Sequence, residues 1–178
     1  MLRIAFVPLF GWMLLAHPHE FGWRIATTLV FCLAIATDLA DGKIARKYNL
    51  VTDFGKLADP IADKALTGMA FIGLSILGEL WWWVTIVILV REWGITLLRE
   101  RMRPYGVMAA NKGGKAKTVM QAVALIAMLL PLTGWWRYPG WFFMAAALVL
   151  TVVTGVVYIV EARRLKSAAT GHQRGSKS

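Results

Sequence analysis

The chain has 178 residues, 58% of them hydrophobic, with nine tryptophans and a mean hydropathy of +0.57. A water-soluble domain of this length carries more charge and fewer Trp, Leu and Val residues, so that class is excluded in favour of an integral membrane protein. The net charge of +10 in so apolar a chain points to anionic lipid headgroups and cytoplasmic phosphates, not nucleic acid. The single cysteine, Cys32, excludes both a disulfide framework and a Cys-based metal site.

A hydrocarbon core about 30 Å thick takes roughly 20 apolar residues per helix, so this length accommodates about six spans joined by short loops. In chain order, apolar stretches run Leu2 to Ala16, Phe21 to Leu39, Ile61 to Leu77, Leu80 to Leu98, Val119 to Leu132 and Trp141 to Val160. The first lacks a basic region followed by a small-residue cleavage site and reads as a retained helix, not a signal peptide. The fifth is short and extends back through Lys115 to Thr118 if those polar residues face a protein cavity. Between the stretches lie Ala16 to Gly22, a long polar segment from Asp41 to Pro60, a tight turn at Gly78 and Glu79, a basic loop from Arg99 to Gly114, and Thr133 to Gly140. The expected architecture is an all-α bundle of six transmembrane helices, one membrane domain over residues 1–166. A disordered basic tail over 167–178, rich in Gly, Ser and Lys/Arg, follows it.

Lys and Arg are retained on the cytoplasmic side during insertion. Of the 20 Lys and Arg residues, only Arg24 and Arg137 fall in or beside the odd-numbered loops. The asymmetry predicts both termini in the cytoplasm, with the Asp41 to Pro60 segment and the Arg99 to Gly114 loop on the same face of the plasma (inner) membrane. Trp81 to Trp83, Trp135, Trp136 and Trp141 then form an outer interfacial belt, where indoles anchor.

The segment DLADGKIARKYNLVTDFGKLADPIADK, Asp38 to Lys64, holds five of the ten acidic residues. Asp38 and Asp41 are three apart and share a face at the end of the second helix. Asp59 and Asp63 are four apart and share a face at the start of the third. Four carboxylates meeting at a membrane boundary repel one another unless cations neutralise them. Without Cys or nearby His, their hard oxygens favour Mg²⁺, Mn²⁺ or Ca²⁺ over Zn²⁺. Gly42 and Ala45 let a ligand approach the backbone, Arg46 lies nearby for a phosphate, and Pro60 fits an early position of the third helix with Asp59 capping it. The bland alternative, a solvated helix end and a cap, suits any one aspartate but not four at these spacings.

Asp38, Asp41, Gly42, Ala45, Arg46, Gly55, Asp59 and Asp63 reproduce with the right gaps the signature of the CDP-alcohol phosphotransferases, which the chain resembles over nearly its whole length. The resemblance implies six transmembrane helices with the signature bridging the second and third, and a homodimer. It implies Asp38, Asp41 and Asp59 as ligands of a divalent cofactor, Mg²⁺ or Mn²⁺, and Asp63 as both ligand and general base. It also implies that Gly42, Arg46 and Thr52 hold the CDP part of the donor. The chemistry agrees: divalent cations neutralise a pyrophosphate diester that otherwise repels an incoming alcohol, and a carboxylate within reach takes the proton of the attacking hydroxyl.

A second polar set must hold the alcohol: Arg91, Glu92 and Arg99 with Lys115, Lys117, Thr118 and Gln121. Arg91 stands within an apolar run, where an arginine is expensive unless it faces a cavity or a partner. It reads as a phosphate ligand, with a buried pair to Glu92 or to one of the aspartates as the alternative. Arg91 and Arg99, eight apart, share a helical face, as do Lys117 and Gln121, four apart. Arg101, Arg103 and Lys112 read as a solvated basic loop near anionic lipid. REWGITLLRE, Arg91 to Glu100, followed by GKAKTVMQ, Gly114 to Gln121, resembles the branch of the family that joins CDP-diacylglycerol to sn-glycerol 3-phosphate. Phosphatidylglycerol is the second candidate acceptor and inositol phosphate the third.

A small cation-coupled transporter and a non-catalytic lipid-binding scaffold are the rival classes. A transporter needs a polar set near the outer face as well, and a scaffold leaves the aspartate spacing unexplained. Similar proteins place an Asn and a Thr, which help hold the donor, ahead of an arginine followed five residues later by a proline. Arg3 and Pro8 fit, and the Asn and Thr positions precede Met1. The expectation is that a form begun at an upstream start codon turns over donor faster; equal activity of the two forms refutes it.

Overall fold

The computed structural model describes residues 2–48, 53–102 and 112–175, with side chains over 6–37, 64–102, 114 and 116–167. The described residues form six α-helices and no strand: α1 (Leu2–Ala16), α2 (Phe21–Tyr48), α3 (Asp53–Ile76), α4 (Trp82–Met102), α5 (Lys112–Leu129) and α6 (Tyr138–Gly175). A 3-10 turn, Gly134–Arg137, leads into α6. The all-α expectation holds, and α1 coincides with its apolar stretch.

The other helices keep their expected ends at the tryptophan-rich side of the bundle and overrun them at the other side. Helix α2 continues past Leu39 to Tyr48, and α3 begins at Asp53. Most of the polar segment expected between Asp41 and Pro60 is therefore helical. The reason is local: Leu39, Ala40, Lys43, Ala45, Arg46 and Lys47 are strong helix formers that outweigh Asp41, Gly42 and Ile44 between them. Hydropathy reports the preference for lipid, and helix propensity is a separate quantity. Pro60 consequently lies inside α3, and Asp59 is not at its cap. Helix α6 runs to Gly175, so the tail expected to be disordered from Ser167 continues the helix. Arg101 lies within α4 and Lys112 opens α5; Arg103 falls outside the described residues.

Helix α1 packs on α2 and α3, α5 on α2, α3 and α6, and α4 on α3 and α6. One apolar core fills the tryptophan side of this bundle. Phe10 and Leu14 of α1, Phe31 and Ala34 of α2, and Leu66, Phe71 and Leu74 of α3 meet Val84 and Ile88 of α4, Leu125 and Leu129 of α5, and Met144 and Ala147 of α6. The Phe10 and Phe31 rings stand 5.4 Å apart. A second, smaller cluster joins Ile95, Leu98 and Met102 of α4 to Tyr158, Ala162 and Leu165 of α6. The layer between the two clusters holds the polar residues.

The tight turn expected at Gly78 is present. Gly78 has φ +71°, its amide donates to the Ser75 carbonyl at 3.1 Å, and the Glu79 amide donates to the Leu74 carbonyl at 2.9 Å. This is the six-to-one and five-to-two pattern that closes a helix with a left-handed glycine. Trp81 rests on Trp141 at 5.0 Å, and Trp82, Trp83, Trp135 and Trp136 are exposed at this end. Among the described residues one helix, Gly134–Ser167, is long and apolar enough to cross a membrane.

Arg24 is buried at the same end. It donates to Glu79 at 2.7 Å and to the Met128 carbonyl at 3.1 Å, which ties α2 to the α3–α4 turn and to α5. Breaking a buried ion pair from one side leaves an uncompensated charge, whereas replacing both partners by apolar groups is close to neutral. Glu79→Gln should therefore destabilise the protein by about 3 kcal/mol, and the double variant Arg24→Met/Glu79→Leu should recover most of that. Thermal unfolding in detergent micelles checks the order of the two.

Candidate active site

The polar layer is built around Glu92 of α4, which packs on α3 and α6 and is reached from α5 by Lys117. Its carboxylate oxygen Oε1 accepts from Arg91 Nη1 at 2.9 Å and from Lys117 Nζ of α5, and its backbone carbonyl accepts from Lys64 Nζ of α3 at 3.1 Å. Helix α6 completes the layer. Arg91 Nε donates to the Thr151 carbonyl at 3.1 Å, Arg91 Nη2 donates to Thr154 Oγ1 at 2.6 Å, and Gln121 Nε2 donates to Thr151 Oγ1 at 3.0 Å. The Tyr158 ring lies 5.9 Å from the guanidinium carbons of both Arg91 and Arg99, within range of cation–π attraction.

These groups are largely withdrawn from water: the side chains of Lys117, Arg91 and Glu92 are 6%, 12% and 19% exposed. Two like charges about 4 Å apart repel by about 4 kcal/mol at the effective dielectric near a protein surface, so Arg91 and Lys117 need the carboxylate they share. Two cations, Arg91 and Lys117, share that one carboxylate oxygen, and Lys64 bonds to the Glu92 backbone carbonyl. Two cations held side by side suit an anionic ligand.

Glycines of α6 and α5 let these side chains pack closely against the helices. A Cβ built on Gly155 comes within 3.2 Å of Arg91 Cγ, and one built on Gly114 within 3.2 Å of the Tyr158 hydroxyl. Thr151, Thr154, Gly155 and Tyr158 recur at the spacing of one helical face.

The aspartates approach this layer through the chain itself. Lys64, bonded to the Glu92 carbonyl, directly follows Asp63 in α3, and a helix rises only about 1.5 Å per residue. Asp59 lies one turn earlier. In α2 the positions of Asp38, Asp41, Gly42, Ala45 and Arg46 step by three and four, so they share one helical face, and Gly55, Asp59 and Asp63 do likewise in α3. Their side chains are outside the described residues, as is that of Lys115, and Thr52 lies outside the described residues altogether. Among the described residues no group of three or more metal-ligating side chains occurs.

A family model described as CDP-alcohol phosphatidyltransferase matches residues 1–156. The chain belongs to the CDP-alcohol phosphatidyltransferase family. It is 47% identical over 165 residues to a Mycobacterium tuberculosis (strain H37Rv) protein named probable phosphatidylglycerophosphate synthase, covering 92% of this chain and 79% of the relative. It is 41% identical over 140 residues to the Bacillus subtilis (strain 168) CDP-diacylglycerol--glycerol-3-phosphate 3-phosphatidyltransferase, covering 72% of each. A cardiolipin synthase (CMP-forming) of Streptomyces coelicolor is 34% identical over 179 residues, covering 94% of this chain and 82% of the relative.

In this phosphatidyltransferase Arg91 forms the buried pair with Glu92 that the sequence offered as its alternative role. Lys117 and Gln121 face the same layer, as their spacing predicts, and Arg99 joins Arg91 at Tyr158. Lys64, Thr151, Thr154 and Tyr158 were missed because nothing marks a threonine in an apolar helix as more than packing. The available signal was their recurrence on one face of α6 together with Gly155. The contact at Gly155 yields a prediction. Gly155→Val should push Arg91 off Thr154 and Glu92 and cut turnover by roughly 100-fold, the scale of a misplacement of about 1 Å, while Gly155→Ala keeps most of it; steady-state rates of the two variants decide.

Proposed function

We propose that this phosphatidyltransferase moves the phosphatidyl group of CDP-diacylglycerol to sn-glycerol 3-phosphate, giving phosphatidylglycerophosphate and CMP. The observation that carries the choice of acceptor is the pair of cations, Arg91 and Lys117, that share one Glu92 oxygen in a layer poor in water. Two adjacent cations suit the dianion of a phosphate monoester. The phosphodiester of phosphatidylglycerol carries one charge and suits them less well. The names of the Mycobacterium and Bacillus relatives support the same acceptor.

Asp38 and Asp41 on α2 and Asp59 and Asp63 on α3 offer four hard oxygen-bearing groups from two helices. That donor chemistry fits Mg²⁺ or Mn²⁺, and these four residues would hold the ions. When bound, the cations neutralise the pyrophosphate oxygens and stabilise the departing CMP. Gly42 and Ala45 leave the backbone open to the nucleotide, Arg46 takes a phosphate oxygen, and Thr52 adds a hydroxyl. Lys117 and Arg91, with Arg99 and Lys115, hold the acceptor's phosphate and so fix where its hydroxyl lies. Asp63 accepts the hydroxyl proton as the oxygen bonds to the β-phosphorus and the bond from that phosphorus to CMP breaks.

The six helices cross the inner membrane, with the site and both termini on the cytoplasmic side, and two copies form a homodimer. The exposed apolar surface supports the crossing: Leu29 and Leu33 on α2, Val90 and Leu97 on α4 and Val149 and Val156 on α6 are each more than half exposed and suit lipid.

Purified protein given CDP-diacylglycerol, Mg²⁺ and labelled sn-glycerol 3-phosphate should form phosphatidylglycerophosphate and CMP. Chelation should stop the reaction, and Asp63→Asn should abolish turnover without unfolding the protein. Product from phosphatidylglycerol or inositol phosphate in its place reassigns the acceptor, and turnover retained in Asp63→Asn removes that residue as base.

A further inference from the structure

Glu92 takes no part in the reaction described above, yet cations from α3, α4 and α5 converge on it. Its charge is of the wrong sign for a site that receives an anion, which calls for an explanation. The two cations that share its Oε1 differ in how they are fixed. Arg91 is held independently by the Thr151 carbonyl and Thr154 Oγ1 of α6. Lys117 is a flexible stem with a rotatable ammonium, 6% exposed, and the bond that joins it to this layer is the one to Glu92.

We infer that Glu92 is a positioning residue for the acceptor: its carboxylate sets Lys117 against the fixed guanidinium of Arg91 so that the two together receive a phosphate monoester. The carboxylate gives up some attraction for the anion and in return holds two repelling cations side by side in a layer poor in water. Gln121 supports the arrangement from one turn further along α5, where it bonds to the same Thr151 that holds Arg91. The inference rests on sn-glycerol 3-phosphate as the acceptor.

Charge and placement predict opposite signs when the carboxylate is removed, which makes the test decisive. If Glu92 acts only through its charge, Glu92→Gln relieves repulsion and lowers the KM for sn-glycerol 3-phosphate. If it acts through placement, that KM rises by roughly 10- to 100-fold, the usual cost of losing a supporting contact, while the KM for CDP-diacylglycerol stays within about twofold. Glu92→Asp, which keeps the charge on a shorter stem, should recover part of the loss. Adding Glu92→Gln to Lys117→Met should cost little beyond Lys117→Met alone, because both remove the same contact. A lowered or unchanged KM for sn-glycerol 3-phosphate in Glu92→Gln overturns the inference, as does an equal rise in both KM values or full additivity with Lys117→Met. Should Glu92→Gln fail to fold, a KM for sn-glycerol 3-phosphate unchanged in Glu92→Asp overturns it as well. Wild-type protein that does not convert sn-glycerol 3-phosphate refutes the acceptor itself, an outcome distinct from an active wild type whose Glu92 variants behave like it.

Discussion

Inside the bundle, between two apolar clusters, the shared oxygen of Glu92 holds an arginine from its own helix and a lysine from the next, while its carbonyl holds a lysine from the one before. Charges withdrawn from water survive only when paired, and Glu92 ties α3, α4 and α5 together at this depth. Helix α6 joins the same set through the acceptors it offers to Arg91 and Gln121. The site is thus a constraint on the fold as much as a consequence of it.

The two clusters give that constraint its setting. The larger core holds all six helices together on the tryptophan side, and the smaller one clamps α4 to α6 beyond the polar layer. Close packing leaves side chains few alternative rotamers, so the polar groups between the clusters keep their relative geometry. On the far side, Arg24 and Glu79 lock the turn that aims α4, and Gly78 makes that turn possible with its left-handed backbone.

Much of this was legible in the residues alone. The six apolar stretches located every helix, and the spacing of Asp38, Asp41, Asp59 and Asp63 singled out the two that bear the carboxylates. What hydropathy could not locate was where the helices end. Residues 40–48, 53–60 and 161–175 are largely polar and helical, because an amide ladder follows helix propensity and packing and does not need an apolar surface. The role of Arg91 was open for a similar reason: sequence shows that an intramembrane charge requires a partner, and only packing selects which. Thr151, Thr154 and Tyr158 stayed hidden because their side chains matter through what α4 and α5 bring to them.

The 38 residues of α6 span about 57 Å at 1.5 Å per residue, nearly twice the hydrocarbon thickness of a bilayer. The stretch shared with the family model stops at residue 156, whereas Tyr158, Ala162 and Leu165 lie beyond it. A chain trimmed at residue 156 would keep the aspartates and the cations around Glu92 but lose the aromatic ring beside Arg91 and Arg99 and the clamp above them. The packing of α6 therefore runs past the end of the family match.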